Sequence, residues 1–142
     1  RTKFYINAFG EELVLDNTEK ALDILQNEQM HFDLAEYLVA PVYLNNQQSG
    51  YHEWLIEFEN EPTDLHAFTI ALDNNLKAAN SDYEAKRHKD IALGLPQITS
   101  VKKGCFHTWL KQRGKLGGQH KVPRLSNERH FIAEIKKVNQ GL

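Results

Sequence analysis

Two β-type segments, residues 34–44 and 51–58, flank the polar run Asn45-Asn46-Gln47-Gln48-Ser49-Gly50, and no other stretch constrains the fold as much. Asn, Ser and Gly favour chain reversal, so the two segments are expected to form an antiparallel pair. Alternation along the second segment puts Trp54, Ile56 and Phe58 on one face, which is expected to be core.

The rest of the chain supplies cover for that pair. Residues 4–9 and 13–15 read as a short hairpin around Phe9-Gly10. A helix follows, capped by Asp16 or Asn17, with Ala21, Leu22, Leu25 and Met30 recurring near helical spacing. After Pro62-Thr63-Asp64 a second helix carries Leu65, Phe68, Ile70, Leu72 and Leu76, and Ser81-Asp82-Tyr83-Glu84 opens a third toward Asp90. Residues 98–101 read as a last short strand. A helix over 105–112 buries Phe106, Trp109 and Leu110, and a terminal helix capped by Ser126 or Asn127 carries Phe131, Ile132, Ile135 and Val138. The expected architecture is α+β: a small, mostly antiparallel sheet of three to four strands plus an N-terminal hairpin, flanked by four to five helices.

A chain of 142 residues makes one domain with its own core, small for a complete two-lobed ligase, dehydrogenase or kinase. The start at Arg1 fits a fragment cut from a longer chain. No apolar run has the length of a membrane span, and the single cysteine, Cys105, excludes an intrachain disulfide and fits a reducing, cytoplasmic setting. Charge is sorted along the chain: residues 1–100 hold seven Lys/Arg against seventeen Asp/Glu, and residues 101–142 hold ten against two. Such a positive tail suits nucleic acid, a nucleotide's phosphates or an acidic partner face, or simply pairs with the acidic part of its own fold.

The tail's most distinctive segment is residues 114–127, which combines Gly114, Lys115, Gly117, Gly118, Lys121, Pro123 and Arg124. Glycine backbone and lysine ammonium groups there are able to close on an anion, although the spacing is not that of the common phosphate loop. A plain flexible basic loop is the alternative. Cys105, His107, His120 and His130 lack structural-zinc spacing, and no metal site is expected. Trp54 and Trp109 read as core.

Two motifs together carry a resemblance. The opening Arg1-Thr2-Lys3-Phe4-Tyr5-Ile6-Asn7-Ala8-Phe9-Gly10 resembles the start of the small C-terminal domain of adenylate-forming enzymes, where a hinge residue and a glycine hairpin recur. More specifically, residues 6–13, Gly50-Tyr51-His52-Glu53-Trp54 and the Gln119-x-Lys121-x-Pro123-Arg124 run resemble the bacterial branch of the Gretchen Hagen auxin-responsive promoter family, over essentially the whole chain. Members of that family are acyl-acid amido synthetases.

The resemblance implies a mobile lid domain over residues 1–142, hinged near residues 1–3 at Lys3, with an N-terminal adenylation domain of the same chain as partner. It implies ATP and Mg2+ in the full-length enzyme, a small carboxylic acid and an amine or amino acid as substrates, and no activity in the isolated domain. Lys121 matches the lysine of the family's run and would be the adenylation cation. Lys115, Gly117, Gly118 and Arg124 would help hold the phosphates, with a structural salt bridge the stronger reading for Arg124. Gly10-Glu11-Glu12 would face the site in the second step, where a carboxylate could orient or deprotonate the incoming amine; a solvated hairpin tip is the competing view. The rival from another class is a nucleic-acid-binding or protein-docking module using residues 102–137, disfavoured by the acidic first hundred residues.

Overall fold

The computed structural model describes residues 4–46, 48–115 and 121–142, with the backbone alone at Asp90 and Lys115. The chain begins with an antiparallel hairpin, β1 (Tyr5–Ile6) and β2 (Leu13–Val14), and runs directly into α1 (Leu15–Ile24), which continues as a π-helical turn over Leu25–Gln29. Next come β3 (Asp33–Leu44), β4 (Ser49–Asn60), α2 (Leu65–Ala79), α3 (Ser81–Arg87), β5 (Gln97–Val101), α4 (Cys105–Lys115) and α5 (His130–Gln140). The main sheet has the order β3-β4-β5: β3 and β4 pair antiparallel with Val39 opposite Trp54, whereas β5 joins β4 in parallel after the α2–α3 crossover.

Strand β4 is central and buried on both faces, so its two alternating rows meet different helices. Trp54, Ile56 and Phe58 lie in one cluster with Tyr37 and Val39 of β3, Ala21 and Leu22 of α1, and Phe68, Leu72 and Leu76 of α2. Leu55 lies in the other with Leu38, Ala40, Val101, Cys105, Phe106, Trp109, Ile132 and Ile135. The expected α+β layers are present, with helices on both sides of the sheet. Within the β3–β4 turn Asn45 and Asn46 both take left-handed backbone angles, which asparagine tolerates. Ser49 and Gly50, expected in that turn, already belong to the ladder. Gly50 is required there: a Cβ would lie 1.9 Å from the Val42 carbonyl oxygen and 2.6 Å from Phe9 Cζ.

Several expected boundaries move. Helix α1 starts at Leu15, one residue ahead of the expected caps, because β2 feeds straight into it; Asn17 then accepts from the Val14 N–H (3.0 Å) from inside the first turn. Ile70 is 39% exposed, since the stripe Leu65, Phe68, Leu72, Leu76 follows the helical period and Ile70 falls off it. Helix α4 extends past Gln112 to Lys115, so Gly114 and Lys115 are helical. Helix α5 starts at His130 with no side-chain cap at Arg129, because Ser126 and Asn127 bond elsewhere: Ser126 Oγ accepts from Glu128 N–H, and Asn127 Oδ1 from Asn7 N–H.

Candidate functional site

The β1–β2 turn is a narrow loop whose geometry glycine permits: Gly10 has φ of 88°, and its N–H donates to the Asn7 carbonyl at 3.0 Å. The two carboxylates beside it part company. Glu11 is 0% exposed, accepting from Phe9 N–H at 2.7 Å and lying 2.6 Å from His52 Nε2 of β4. Glu12 is exposed, with a left-handed φ of 41° that Asn80 Nδ2 secures by donating to its carbonyl at 3.0 Å.

Residues 124–126 of the basic segment are laid along the outer edge of β3. Val39 N–H donates to the Arg124 carbonyl (2.8 Å), and Ser126 N–H donates back to the Val39 carbonyl (3.0 Å), a parallel bridge that occupies an otherwise open sheet edge. Within the segment Pro123 is buried while Lys121 is exposed. Asn127 Oδ1 accepts from Asn7 N–H at 3.0 Å, so the basic segment and the hairpin are tied to each other.

Arg124 turns inward. Its guanidinium bonds Glu36 through Nε and Glu19 through Nη1 (2.7 Å), and sits 4.9 Å from the centre of the Tyr37 ring. Burial alone would lower its affinity for the proton, but the hydrogen bond and charge of Glu36, with the charge of Glu19, raise it above its ordinary value. Tyr37 donates its hydroxyl to Glu19 at 2.6 Å; burial, then that bond, push the phenol far above its ordinary range. A cavity of about 520 Å³ lies beside this network, walled by Asp16, Glu19, Lys20, Asp23, Tyr37 and Arg124. Its acidic groups outnumber its cations, which suits no phosphate.

Other tail cations are likewise taken up by acids of the first hundred residues. Glu53 of β4 receives Arg129 (2.7 Å) and Lys136 (2.6 Å). Burial opposes its ionised form, yet the Lys136 and Arg129 bonds and charges outweigh it and hold the carboxyl below its usual range. Glu57, four residues on and in the same row, accepts from Gly104 and Phe106 N–H groups, both at 3.0 Å, and so caps α4 from the sheet. Cys105 is buried, and burial, then the Glu57 charge, push its thiol up to about 11. Among the described residues no three His, Cys, Asp or Glu side chains gather where a metal ion could sit. No helix there is long and apolar enough to cross a membrane.

A family model, the GH3 family C-terminal domain, matches residues 16–130. The chain belongs to that family. Among solved structures, a GH3.15 acyl acid amido synthetase matches with a TM-score of 0.72 and 18% identity, over 99% of this chain and 26% of its own. An AtGH3.15 acyl acid amido synthetase in complex with 2,4-DB matches with a TM-score of 0.70 and 15% identity, over 96% of this chain and 26% of its own. These likenesses establish the fold, and the chain spans about a quarter of the length of the structures it matches. No curated protein matches the sequence. The family that the motifs resembled is thus the family to which the chain belongs.

Within this GH3 C-terminal domain, Gly10, Glu11, Glu12, Lys121 and Arg124 fall on two loops joined through Asn7 and Asn127. Lys3, Gly117 and Gly118 lie outside the described residues, and Lys115 is placed only by its backbone at the end of α4. Sequence reasoning missed the residues that hold the hairpin: His52, Asn80 and Asn127. One signal pointed to His52, a polar residue in the inward row His52, Trp54, Ile56, Phe58.

Proposed function

We propose that this GH3 C-terminal domain is the mobile lid of an ATP-dependent acyl-acid amido synthetase and is inactive by itself. In the first step a small carboxylic acid attacks the α-phosphate of ATP, giving an acyl-adenylate and pyrophosphate. In the second an amine attacks the acyl carbon, giving an amide and releasing AMP. The observation that carries this reading is the family match over residues 16–130, in a fold shared across 99% of the chain with an acyl acid amido synthetase. The acid and nucleotide pocket would belong chiefly to an N-terminal domain of the same protein.

Lys121 is suited to the first step, an exposed lysine on a segment fixed to the β3 edge and stiffened by the buried Pro123. Arg124 does not fit a phosphate, because Glu19 and Glu36 already hold its guanidinium; its work is to anchor Lys121's segment. Among the described residues no three His, Cys, Asp or Glu side chains converge to hold a magnesium ion. For the second step Glu12 is the accessible carboxylate of the hairpin and would orient the incoming ammonium, with Glu11 beneath it. The Asn7–Asn127 bond supports both loops moving as one body when the lid turns.

The test is acid-dependent ATP–pyrophosphate exchange by the full-length protein over a panel of small carboxylic acids. Exchange with at least one acid, followed by amide formation on adding an amine, is the expected result. Exchange with none would overturn the reading.

A further inference from the structure

His52 occupies a place along β4 where the neighbouring inward side chains are Trp54, Ile56 and Phe58, and it is itself 1% exposed. An apolar side chain would fill such a site at less desolvation cost, so the imidazole calls for a reason of its own. Its Nε2 lies 2.6 Å from Glu11 Oε2, whereas buried Nδ1 has no hydrogen-bond partner among the described residues. The neutral tautomer carrying hydrogen on Nε2 satisfies both facts, donating to the carboxylate and leaving no buried N–H orphaned; this assignment follows from the bonding pattern.

Glu11 passes that anchorage to the turn. Its second oxygen accepts from Phe9 N–H at 2.7 Å, so one carboxylate joins the turn's backbone to the sheet. The Phe9 ring packs over Gly50, and its centre lies 5.4 Å from that of Tyr43. Beyond this anchor stand Gly10 and Glu12, with φ of 88° and 41°. A left-handed glutamate persists only where its surroundings fix it.

We propose that His52 is a positioning residue for amide formation: through Glu11 it holds the 9–12 turn on the sheet, so that Gly10 and Glu12 keep one orientation toward the incoming amine. The proposal rests on the amido-synthetase reading and adds to it a residue 41 positions from its partner in sequence.

The experiment compares His52→Leu and His52→Gln in the full-length enzyme. His52→Leu should slow amide formation from a supplied acyl-adenylate on the order of tenfold or more, the scale of losing one hydrogen bond to a charged group. The loss should fall in kcat rather than in KM for the amine, with pyrophosphate exchange within about twofold of wild type. His52→Gln, which keeps a donor, should recover most of the rate. In the same His52→Leu variant the Phe9 amide should exchange its hydrogen faster while Trp54 and Ile56 of β4 keep their protection. Equal loss in both half-reactions, equal behaviour of Leu and Gln, or unaltered Phe9 exchange would each overturn the role. A wild-type enzyme with no pyrophosphate exchange would instead overturn the underlying function, a result visible before any variant is made.

Discussion

At the scale of single residues, Arg124 is a cation held by the domain's own acids, Glu19 and Glu36. Arg124→Met should cost about 1–2 kcal/mol of stability, the sum of partly exposed ion pairs and one stacked ring, read as a lower melting temperature. Asp73 gives a sharper case. It is buried and bonded by Arg87 through Nε (2.8 Å) and Nη2 (2.7 Å) and by the Tyr83 hydroxyl (2.6 Å). Burial would raise its carboxyl, but those bonds and the charges of Arg87 and Lys77 outweigh it and hold it below the ordinary range. A folded-state value below the unfolded one contributes stability that is complete above the unfolded pKa, about 4, and is lost as pH falls through the folded value. Denaturant midpoints of the wild type should therefore drop steeply with acid below about pH 4, and Asp73→Asn should flatten that slope while lowering stability at neutral pH. An unchanged slope would remove Asp73 from the account.

At the scale of elements, what the sequence makes legible is what local chemistry decides. The β3–β4 pair follows from alternation and two turn asparagines, and α2 from Asp64, whose side chain accepts from Ala67 N–H at 3.1 Å, followed by a periodic stripe. Asp64→Ala should cost about 1 kcal/mol, the usual loss of an N-cap. Long-range partners decide the rest. Ser126 and Asn127 look like caps, yet the Asn7 N–H, 120 residues away, claims Asn127. Glu11 looks like a solvated tip, and only the distant His52 makes it a buried anchor. Gly50 reads as part of a turn, whereas its real constraint is the Val42 carbonyl and the Phe9 ring pressing on it. Gly50→Ala should destabilise by about 3 kcal/mol or more, because backbone on the facing strand cannot give way as a side chain does; chemical denaturation measures it.

At the scale of the whole molecule, the sorted charge has two uses. Acids at 19, 36 and 53 take up Arg124, Arg129 and Lys136 and fasten the basic tail across both sides of the sheet. Lys121 stays at the surface of a segment fastened in this way, which suits the proposed lid, whose cation would move into and out of a site. With that division, the isolated domain should fold yet consume no ATP. In the full-length enzyme Lys3→Pro should disturb the coupling of the half-reactions more than either binding step, since proline fixes a dihedral that a hinge must change; unaltered adenylation and amide formation would place the pivot elsewhere.

The central claim is most directly tested by Lys121→Ala in the full-length enzyme, with each half-reaction measured separately. Acyl-adenylate formation should slow by a factor on the order of 100 or more, as when a preorganised charge-stabilising donor is removed, with little change in substrate binding. Amide formation from a supplied acyl-adenylate should be nearly spared. Comparable losses in both half-reactions, or a small loss that vanishes at high salt, would contradict the role given to Lys121 and, with it, this account of the lid.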